Sequence, residues 1–297
     1  MIKEVTRFQD STVFEGMTSI RAIIKGIDEC GNSRQIKTIL YDKDKMRKNT
    51  KTIGYLKAVS DKYGFCLEET VDTEIEKLAV GNSHGGIIAI ATDRELPFLS
   101  PNTPLVENGF YAMIEGIEDP YNFGYALRSL YACGCDGILL SEHNWMSAAG
   151  VVCRSSAGAS EMFSIYKTTN TEAAVDEFKH RGYTVVCADE NTDNILGKCE
   201  LKKPILLIIG GEKRGISEKI ISKADIKISI LHMRKFSINK AKNCPSQSGM
   251  GSKREQRPET RSSHAKSCLL PLCFNKSSNS VCGSCIKVTL ISRLCIN

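Results

Sequence analysis

The sequence predicts an α/β protein with two domains, a small α/β domain followed by a larger one built on a mainly parallel sheet. From residue 108 to residue 230, continuous apolar strands alternate with amphipathic helices, which is typical of a parallel sheet covered on both faces. A segment with three prolines in eight residues, Pro97–Pro104, separates this region from the first domain. The length of 297 residues, with 41% hydrophobic and 25% charged residues, suits two globular domains.

The first domain is predicted over residues 15–95, and the linker over residues 96–107. Its elements are, in order, a strand, two helices and a second strand: Ile36–Tyr41, Asn49–Lys62, Asp72–Val80 and Gly86–Ala91. The first helix is predicted because Ile53, Leu56 and Val59 recur on one helical face. Asp72 is expected to cap the second helix, which ends near Gly81.

The second domain is predicted over residues 108–230. Its strands are Tyr111–Glu115, Gly137–Leu140, Tyr183–Ala188, Ile205–Ile209 and Ile226–Ile230, and its helices include Thr171–Arg181 and Ser217–Lys223. A further helix follows Asn122, which is expected to cap it. In that helix Phe123, Ala126 and Leu130 lie on one apolar stripe, and Arg128 lies off it.

Hydropathy and cysteine usage exclude several classes of protein. Nowhere do about 18 apolar residues run together, which excludes a transmembrane helix. Met1–Asp10 has no apolar signal core, so a cytoplasmic protein is expected. Cys133, Cys153 and Cys187 lie in apolar runs, where a reduced thiol behaves as a small core residue.

Residues 231–297 differ from the rest of the chain in charge and composition. They contain 12 Lys and Arg against two Glu, together with 12 serines and six of the 13 cysteines. This composition predicts a basic tail that is disordered or results from a shifted reading frame. Two alternatives stay open: a zinc site formed by His264, Cys268, Cys273 and the Cys282-x-x-Cys285 pair, and nonspecific binding to RNA phosphates.

Two segments carry specific chemical signals. Asn122-Phe-Gly-Tyr-Ala-Leu-Arg128 lies at a strand-to-helix junction, where taken singly it is also consistent with a capped helix carrying a solvated arginine. Ile208-Ile-Gly-Gly-Glu-Lys-Arg-Gly-Ile-Ser217 follows a buried strand, where glycines permit close contact with a flat or anionic ligand. Taken singly it is equally consistent with a glycine-rich turn. Its spacing fits neither the dinucleotide fingerprint nor a P-loop.

Together, in this order and about 85 residues apart, the two segments resemble the SpoU (TrmH) family of RNA ribose 2′-O-methyltransferases. The first family motif matches Asn122-x-Gly-x-x-x-Arg128, and the second matches Gly210-Gly-Glu-x-x-Gly215. Between them, Ser155-Ser-Ala-Gly-Ala159 also fits the family pattern. The first domain resembles the family's substrate-binding domain, including Asn82-Ser-His-Gly-Gly-Ile-Ile-Ala89 before the linker.

The resemblance implies an S-adenosylmethionine-dependent enzyme of the SPOUT superfamily with a knotted methyltransferase domain that acts on rRNA or tRNA as a homodimer. It places Asn122, Arg128 and Glu212 in the catalytic group. It places Gly210, Gly211, Gly215, Ile230 and Ile238 against the cofactor. No metal is implied.

The carboxyl-terminal part departs from the family pattern. Ser237-Ile-Asn239 resembles a remnant of the third motif, but Pro245 prevents the apolar helix that completes the knot. An incomplete knot is therefore expected, with weak cofactor binding and poor dimerisation. The alternative function is an RNA-binding protein of the same fold that has lost catalysis. A nucleotide-binding metabolic enzyme is a third reading, but it leaves the first domain unexplained.

The reaction itself explains the catalytic residue types. A ribose hydroxyl must lose its proton as it attacks the methyl donor, and Arg128 is suited to stabilise the alkoxide and hold the adjacent phosphate. An electrostatic role is favoured over a role as base because arginine stays protonated. Two features have a second interpretation: the basic run Lys43–Lys51 is an RNA-contacting patch or a solvated face, and His84 contacts phosphate or caps local backbone.

Overall fold

The computed structural model describes residues 11–229, except residues 48, 82–83, 142–147, 197–198 and 212–214. The predicted tail, residues 231–297, lies outside the described residues, as do the zinc alternative and the third motif. None of the helices that the structure describes has the length and apolar content needed to span a bilayer.

A four-stranded mixed sheet forms from the first part of the chain. Its elements are β1 (Ser11–Glu15), α1 (Gly16–Cys30), β2 (Ile36–Asp42), α2 (Lys43–Met46), α3 (Thr50–Tyr63), β3 (Cys66–Thr70), α4 (Asp72–Leu78) and β4 (Ile87–Thr92). The strand order is β1-β4-β2-β3, with β4 antiparallel to both neighbours and β3 parallel to β2. Both predicted strands and both predicted helices are present, whereas β1, α1, α2 and β3 were not predicted. The expectation that Asp72 caps α4 is wrong, because Val71 is the N-cap and Asp72 is the first helical residue.

The second part of the chain forms a six-stranded sheet in which every neighbouring pair is parallel. Its elements are β5 (Phe110–Glu115), α5 (Pro120–Ala132), β6 (Gly137–Ser141), α6 (Ala149–Ser155), α7 (Ala159–Met162), β7 (Ser164–Thr168), α8 (Thr171–His180), β8 (Thr184–Ala188), β9 (Ile205–Gly210), α9 (Glu218–Ile221) and β10 (Ile226–Ile228). The order is β10-β8-β9-β5-β6-β7. The predicted α/β class with a mainly parallel sheet is confirmed.

Apolar side chains fill both faces of the second sheet. Alternate residues of β5 point to opposite sides, so that Ala112 and Ile114 join one core while Tyr111 and Met113 join the other. Both cores are built from residues with almost no exposed surface. Burial on both faces explains why the strands read as unbroken apolar runs in the sequence.

Helix α6 also contributes to the core of the first sheet. Cys153, which is fully buried, and Ala149 pack with Phe14 and Ile20 from β1 and α1. Helix α7 packs against α1. The described residues accordingly belong to one compact unit. The division into domains at residues 15–95 and 108–230 remains a prediction.

A buried ion pair joins the two sheets. The Arg34 Nε donates to the Glu161 Oε2 at 3.0 Å, and each side chain is only 3% exposed. Asn32 Nδ2 donates to the same oxygen at 2.7 Å. Arg94, whose pKa is lowered by burial, donates to the backbone oxygens of Ser160 and Phe163 at 3.0 and 2.6 Å. The segment around α7 is thus held by side chains of the first sheet and its connections.

Glu161→Gln is expected to destabilise the chain by about 3 kcal/mol, because it leaves the Arg34 guanidinium buried without a counter-charge. The matched control is Glu29→Gln, which breaks an exposed pair with Lys25 and should cost less than about 0.5 kcal/mol. Urea unfolding measures both. Equal effects of the two substitutions would contradict the role given to the buried pair.

The cysteines that the structure describes are all free. Burial raises the pKa of Cys135 and that of Cys187 to about 12, and it also raises the pKa of the fully buried Cys153. Cys66 is exposed on β3. Cys133, predicted as a core residue, is only partly buried.

Iodoacetamide at about pH 8 should therefore label Cys66 rapidly and label Cys135, Cys153 and Cys187 only after denaturant is added. A buried thiol is both inaccessible and protonated, and only the thiolate reacts. Peptide mapping by mass spectrometry separates the sites. Labelling of Cys153 at the rate of Cys66 in the folded chain would show that the core around α6 is open.

Candidate functional site

The carboxyl ends of β5 and β9 form the topological switch point of the second sheet. These two central strands pair over their full length, with Glu115 opposite Gly210. From β5 the chain passes to β6 on one side, whereas from β9 it passes to β10 on the other side. Ligands of open parallel sheets bind in the crevice that such diverging connections leave at the strand ends. The second motif begins in this crevice.

Glycines at the switch point let two backbone segments touch. A Cβ on Gly211 would overlap the Gly116 carbonyl and lie 3.0 Å from the Gly116 Cα. Gly211 also forms a bridge with Gly215, whose N–H donates to the Gly211 carbonyl at 3.1 Å and whose φ is +67°. The close approach expected of Gly210 and Gly211 is therefore made in part to the chain's own backbone.

The second motif is tied to the end of β5. The Ser217 N–H donates to the Glu115 Oε2 at 3.3 Å, just before α9 begins. Of the residues predicted here, Gly210, Gly211 and Gly215 lie together at the strand end. Glu212, Ile230 and Ile238 lie outside the described residues. Among the residues described, no group of three His, Cys, Asp or Glu is placed to hold a metal ion.

The helix of the first motif begins earlier than predicted. Asp119 is its N-cap, and the Asp119 Oδ1 accepts from the Asn122 N–H at 2.9 Å. Pro120 occupies the first helical turn, where its missing N–H costs nothing. The expectation that Asn122 caps this helix is wrong, because Asp119 already does so. Asn122 instead lies within the first turn of α5, partly exposed.

Arg128 is exposed and lies off the apolar stripe, as predicted. In the part of the chain that the structure describes, no ion pair joins it to another side chain. Six residues along a helix correspond to a rotation that leaves Asn122 and Arg128 about 120° apart. Within one chain, α5 therefore does not present the two catalytic candidates on one face.

The intermediate segment of the family pattern packs on the first motif. A Cβ on Gly124, in the interior of α5, would lie 2.9 Å from the Ser155 Cβ and 3.0 Å from the Ser156 nitrogen. Ser155 ends α6, and its hydroxyl donates to the Val151 carbonyl at 2.8 Å. The glycine of the first motif is thus required by helix packing.

Two residues that sequence reasoning did not select lie beside the first motif. Arg154 pairs with the buried Glu15, and its Nη2 donates to the Tyr121 hydroxyl at 3.3 Å. Tyr121 immediately precedes Asn122 and is 40% exposed. Arg154 directly precedes the matched segment Ser155–Ala159, and that adjacency was the only sequence signal for it.

The predicted basic run Lys43–Lys51 is partly neutralised. Lys43 lies 3.4 Å from Glu69, and Lys45 lies 2.6 Å from Asp72. Both pairs are solvent-exposed and worth little to stability. They reduce the positive charge available to an RNA phosphate at these two positions.

A switch-point crevice on an all-parallel sheet is typical of α/β proteins that bind a ligand at the strand ends. Comparison with known proteins identifies the family. Residues 109–241 match the SpoU rRNA Methylase family, which identifies this part of the chain as a SpoU methylase domain. The resemblance seen in the sequence is confirmed. The match extends beyond β10 to include Ile230 and Ser237–Asn239.

Two relatives match parts of the chain in sequence. A protein of Staphylococcus haemolyticus assigned to the TrmH family of tRNA/rRNA methyltransferases is 30% identical over 118 residues, which is 40% of this chain and 47% of the relative. The 23S rRNA (guanosine-2′-O-)-methyltransferase RlmB of Shewanella oneidensis is 26% identical over 174 residues, 57% of this chain and 70% of the relative. The chain thus spans about half the length of the first of these relatives.

Solved structures share the fold. An RNA 2′-O ribose methyltransferase superimposes with a TM-score of 0.64 at 20% identity, covering 79% of this chain and 88% of the other. An AdoMet-bound rRNA methyltransferase from Sinorhizobium meliloti gives a TM-score of 0.62 at 20% identity, covering 79% and 84%. Both matches cover more of the chain than the methylase domain alone.

Gly124→Ala is expected to destabilise the chain by about 1–2 kcal/mol. The added methyl group clashes with α6, and the free-energy cost of this clash exceeds the gain in helix propensity from glycine to alanine. Gly54→Ala is the matched control, because Gly54 also lies inside a helix but a Cβ there meets nothing within 4 Å. This control should gain about 0.5–1 kcal/mol. Opposite signs in urea unfolding are the expected result, and a stabilised Gly124→Ala would refute the packing described.

Proposed function

We propose that the chain transfers a methyl group from S-adenosylmethionine to a ribose 2′-hydroxyl of rRNA or tRNA. The observation that carries the proposal is the position of the second SpoU motif at the carboxyl ends of β5 and β9, where a parallel sheet binds ligands. The relatives and solved structures named as RNA 2′-O-methyltransferases support the same reaction.

The residues at the switch point suit this cofactor. Gly215 has a φ of +67° and open space where a Cβ would stand, which leaves room for a flat ligand beside the diverging strand ends. Gly210 and Gly211 pack against the chain's own backbone and so hold the loop in place. Ile230 and Ile238, both inside the family match, would complete the cofactor contacts. When bound, the cofactor supplies an activated methyl group.

The chain's own residues then have to align and stabilise the ribose. The exposed guanidinium of Arg128 would hold the phosphate next to the reacting ribose and stabilise the hydroxyl oxygen as its proton leaves. Asn122 and Glu212 would orient the nucleotide and the arginine. Because the methyl donor is already activated, alignment of the hydroxyl is a large part of the catalytic work.

The active form in this proposal is the homodimer that the family resemblance implies, although the altered carboxyl-terminal part predicts poor dimerisation of this chain. It is proposed because the exposed face that carries Arg128 is separated from the face that carries Asn122. A second chain could place its own Asn122 or Arg128 beside the other residue of the first chain and so complete the site. The free and buried thiols support a reducing, cytoplasmic setting.

Two measurements test the function. Calorimetry with S-adenosylmethionine tests cofactor binding, and transfer of its labelled methyl group to total RNA, followed by nucleoside analysis, tests the product. Weak binding of S-adenosylmethionine together with a 2′-O-methylated nucleoside is the expected result. RNA binding without any cofactor binding would replace the proposal with the alternative of an RNA-binding protein that has lost catalysis.

Arg128→Lys should lower the rate of methyl transfer at least about 100-fold. The ammonium group of lysine cannot make the paired hydrogen bonds that a planar guanidinium makes to a phosphate and an alkoxide. Its unfolding free energy should stay within about 0.5 kcal/mol of the parent, since Arg128 is exposed. Lys57→Arg, at an exposed position of α3, is the control and should keep full activity. Near-normal turnover by Arg128→Lys would remove Arg128 from the catalytic group.

A further inference from the structure

The guanidinium of Arg154 joins the end of strand β1 to the first turn of α5. Its Nη1 pairs with one carboxylate oxygen of Glu15, the last residue of β1, and its Nη2 donates to the Tyr121 hydroxyl at 3.3 Å. Arg154 itself lies in α6, 139 residues after Glu15 and 33 residues after Tyr121. One side chain therefore connects three elements that are distant from one another in the sequence.

Glu15 is a fixed anchor for this guanidinium. Its side chain is only 6% exposed, and its Oε1 accepts from the N–H groups of Val80 and Gly81 at 2.6 and 2.9 Å. A buried carboxylate that accepts from two backbone groups and pairs with an arginine has little freedom to move. Gly81 also leaves the space that the guanidinium occupies, because a Cβ on Gly81 would overlap the Arg154 Nη1.

The helix that carries Arg154 is packed directly on β1. A Cβ on Gly150, in the first turn of α6, would overlap the Val13 carbonyl oxygen, so the two backbones touch. At the other end of α6, Ser155 packs on Gly124 of α5. The Arg154 side chain therefore extends from a backbone that is held on both sides.

Tyr121 is a position from which one contact acts on both catalytic candidates of α5. It directly precedes Asn122, and it lies seven residues before Arg128. Seven residues are nearly two full turns, which leaves Tyr121 and Arg128 only about 20° apart around the helix axis. A hydrogen bond to the Tyr121 hydroxyl therefore limits rotation of the face that carries Arg128 and fraying of the turn that carries Asn122.

We propose that Arg154 is a positioning residue for methyl transfer. Held by Glu15, it fixes the first turn of α5 through the Tyr121 hydroxyl. Asn122 and Arg128 are thereby kept aligned with the reacting ribose, and alignment is what a reaction with an activated methyl donor requires. This inference rests on the proposed function for the reaction. It gives the first sheet a part in catalysis that does not depend on contact with RNA.

The test removes only the hydroxyl of Tyr121, with Tyr121→Phe in the full chain. The ring and the Arg154–Glu15 pair stay, so the variant should unfold at the parental urea concentration. Because the lost hydrogen bond acts on alignment, kcat should fall about threefold to tenfold at an unchanged apparent KM for total RNA. Tyr63→Phe is the matched control, because it removes a hydroxyl that donates to Asp28 between α3 and α1, and it should keep the parental kcat.

A double-mutant cycle determines whether Tyr121 acts through Arg154. Arg154→Lys keeps the charge that pairs with Glu15, but one ammonium group cannot replace a guanidinium whose two ends bind Glu15 and Tyr121 together. Arg154→Lys should therefore lower kcat by about the same factor as Tyr121→Phe, and the double variant should be no slower than either. Effects on kcat that multiply in the double variant would overturn the proposal, and so would a parental kcat for both single variants.

Hydrogen exchange separates this inference from the proposed function. The N–H groups at the start of α5 donate to Asp119, so their exchange reports on the first turn. Peptides that cover residues 119–125 should exchange about threefold to tenfold faster in Tyr121→Phe and in Arg154→Lys than in the parent. A parent that transfers no methyl group would overturn the proposed function, whereas parental exchange of residues 119–125 in both variants would overturn the positioning role.

Discussion

The buried carboxylate of Glu161 is the interaction on which the arrangement of the chain depends. It pairs with Arg34, 127 residues earlier, and it lies in the segment that follows Ser155–Ala159. Ser155, at the end of the preceding helix α6, packs on Gly124 of the first motif. The first sheet therefore positions α6 and α7, and these in turn support the helix that carries Asn122 and Arg128. A domain predicted to bind substrate also holds part of the catalytic domain in place.

The two SpoU motifs have different physical bases. The second depends on where parallel strands diverge, because the ends of β5 and β9 create the crevice and glycines allow their loops to meet. The first depends on packing, because Gly124 admits α6 while Arg128 stays exposed. Packing within the fold is enough to require the glycines of both motifs. The polar residues of the motifs, not their glycines, therefore distinguish a methyltransferase from a binding protein of the same fold.

Much of the fold could be predicted because strands buried on both faces are continuous apolar runs. The exceptions are informative. Strands β3 and β7 lie at sheet edges and are partly exposed, so their sequences show no clear pattern. Helix α1 has Ile20, Ile23, Ile24 and Ile27 at helical spacing, so this helix could have been predicted from the sequence. The Arg34–Glu161 pair had no local signal, because a buried charge is recognisable only from its distant partner.

Differential scanning calorimetry tests most directly whether the two sheets form one cooperative unit. If the first sheet and the methylase domain depend on each other through α6, α7 and Glu161, residues 11–229 should unfold in one transition, with equal calorimetric and van't Hoff enthalpies. Two separate transitions within this region, with the second sheet still folded after the first transition, would contradict the account.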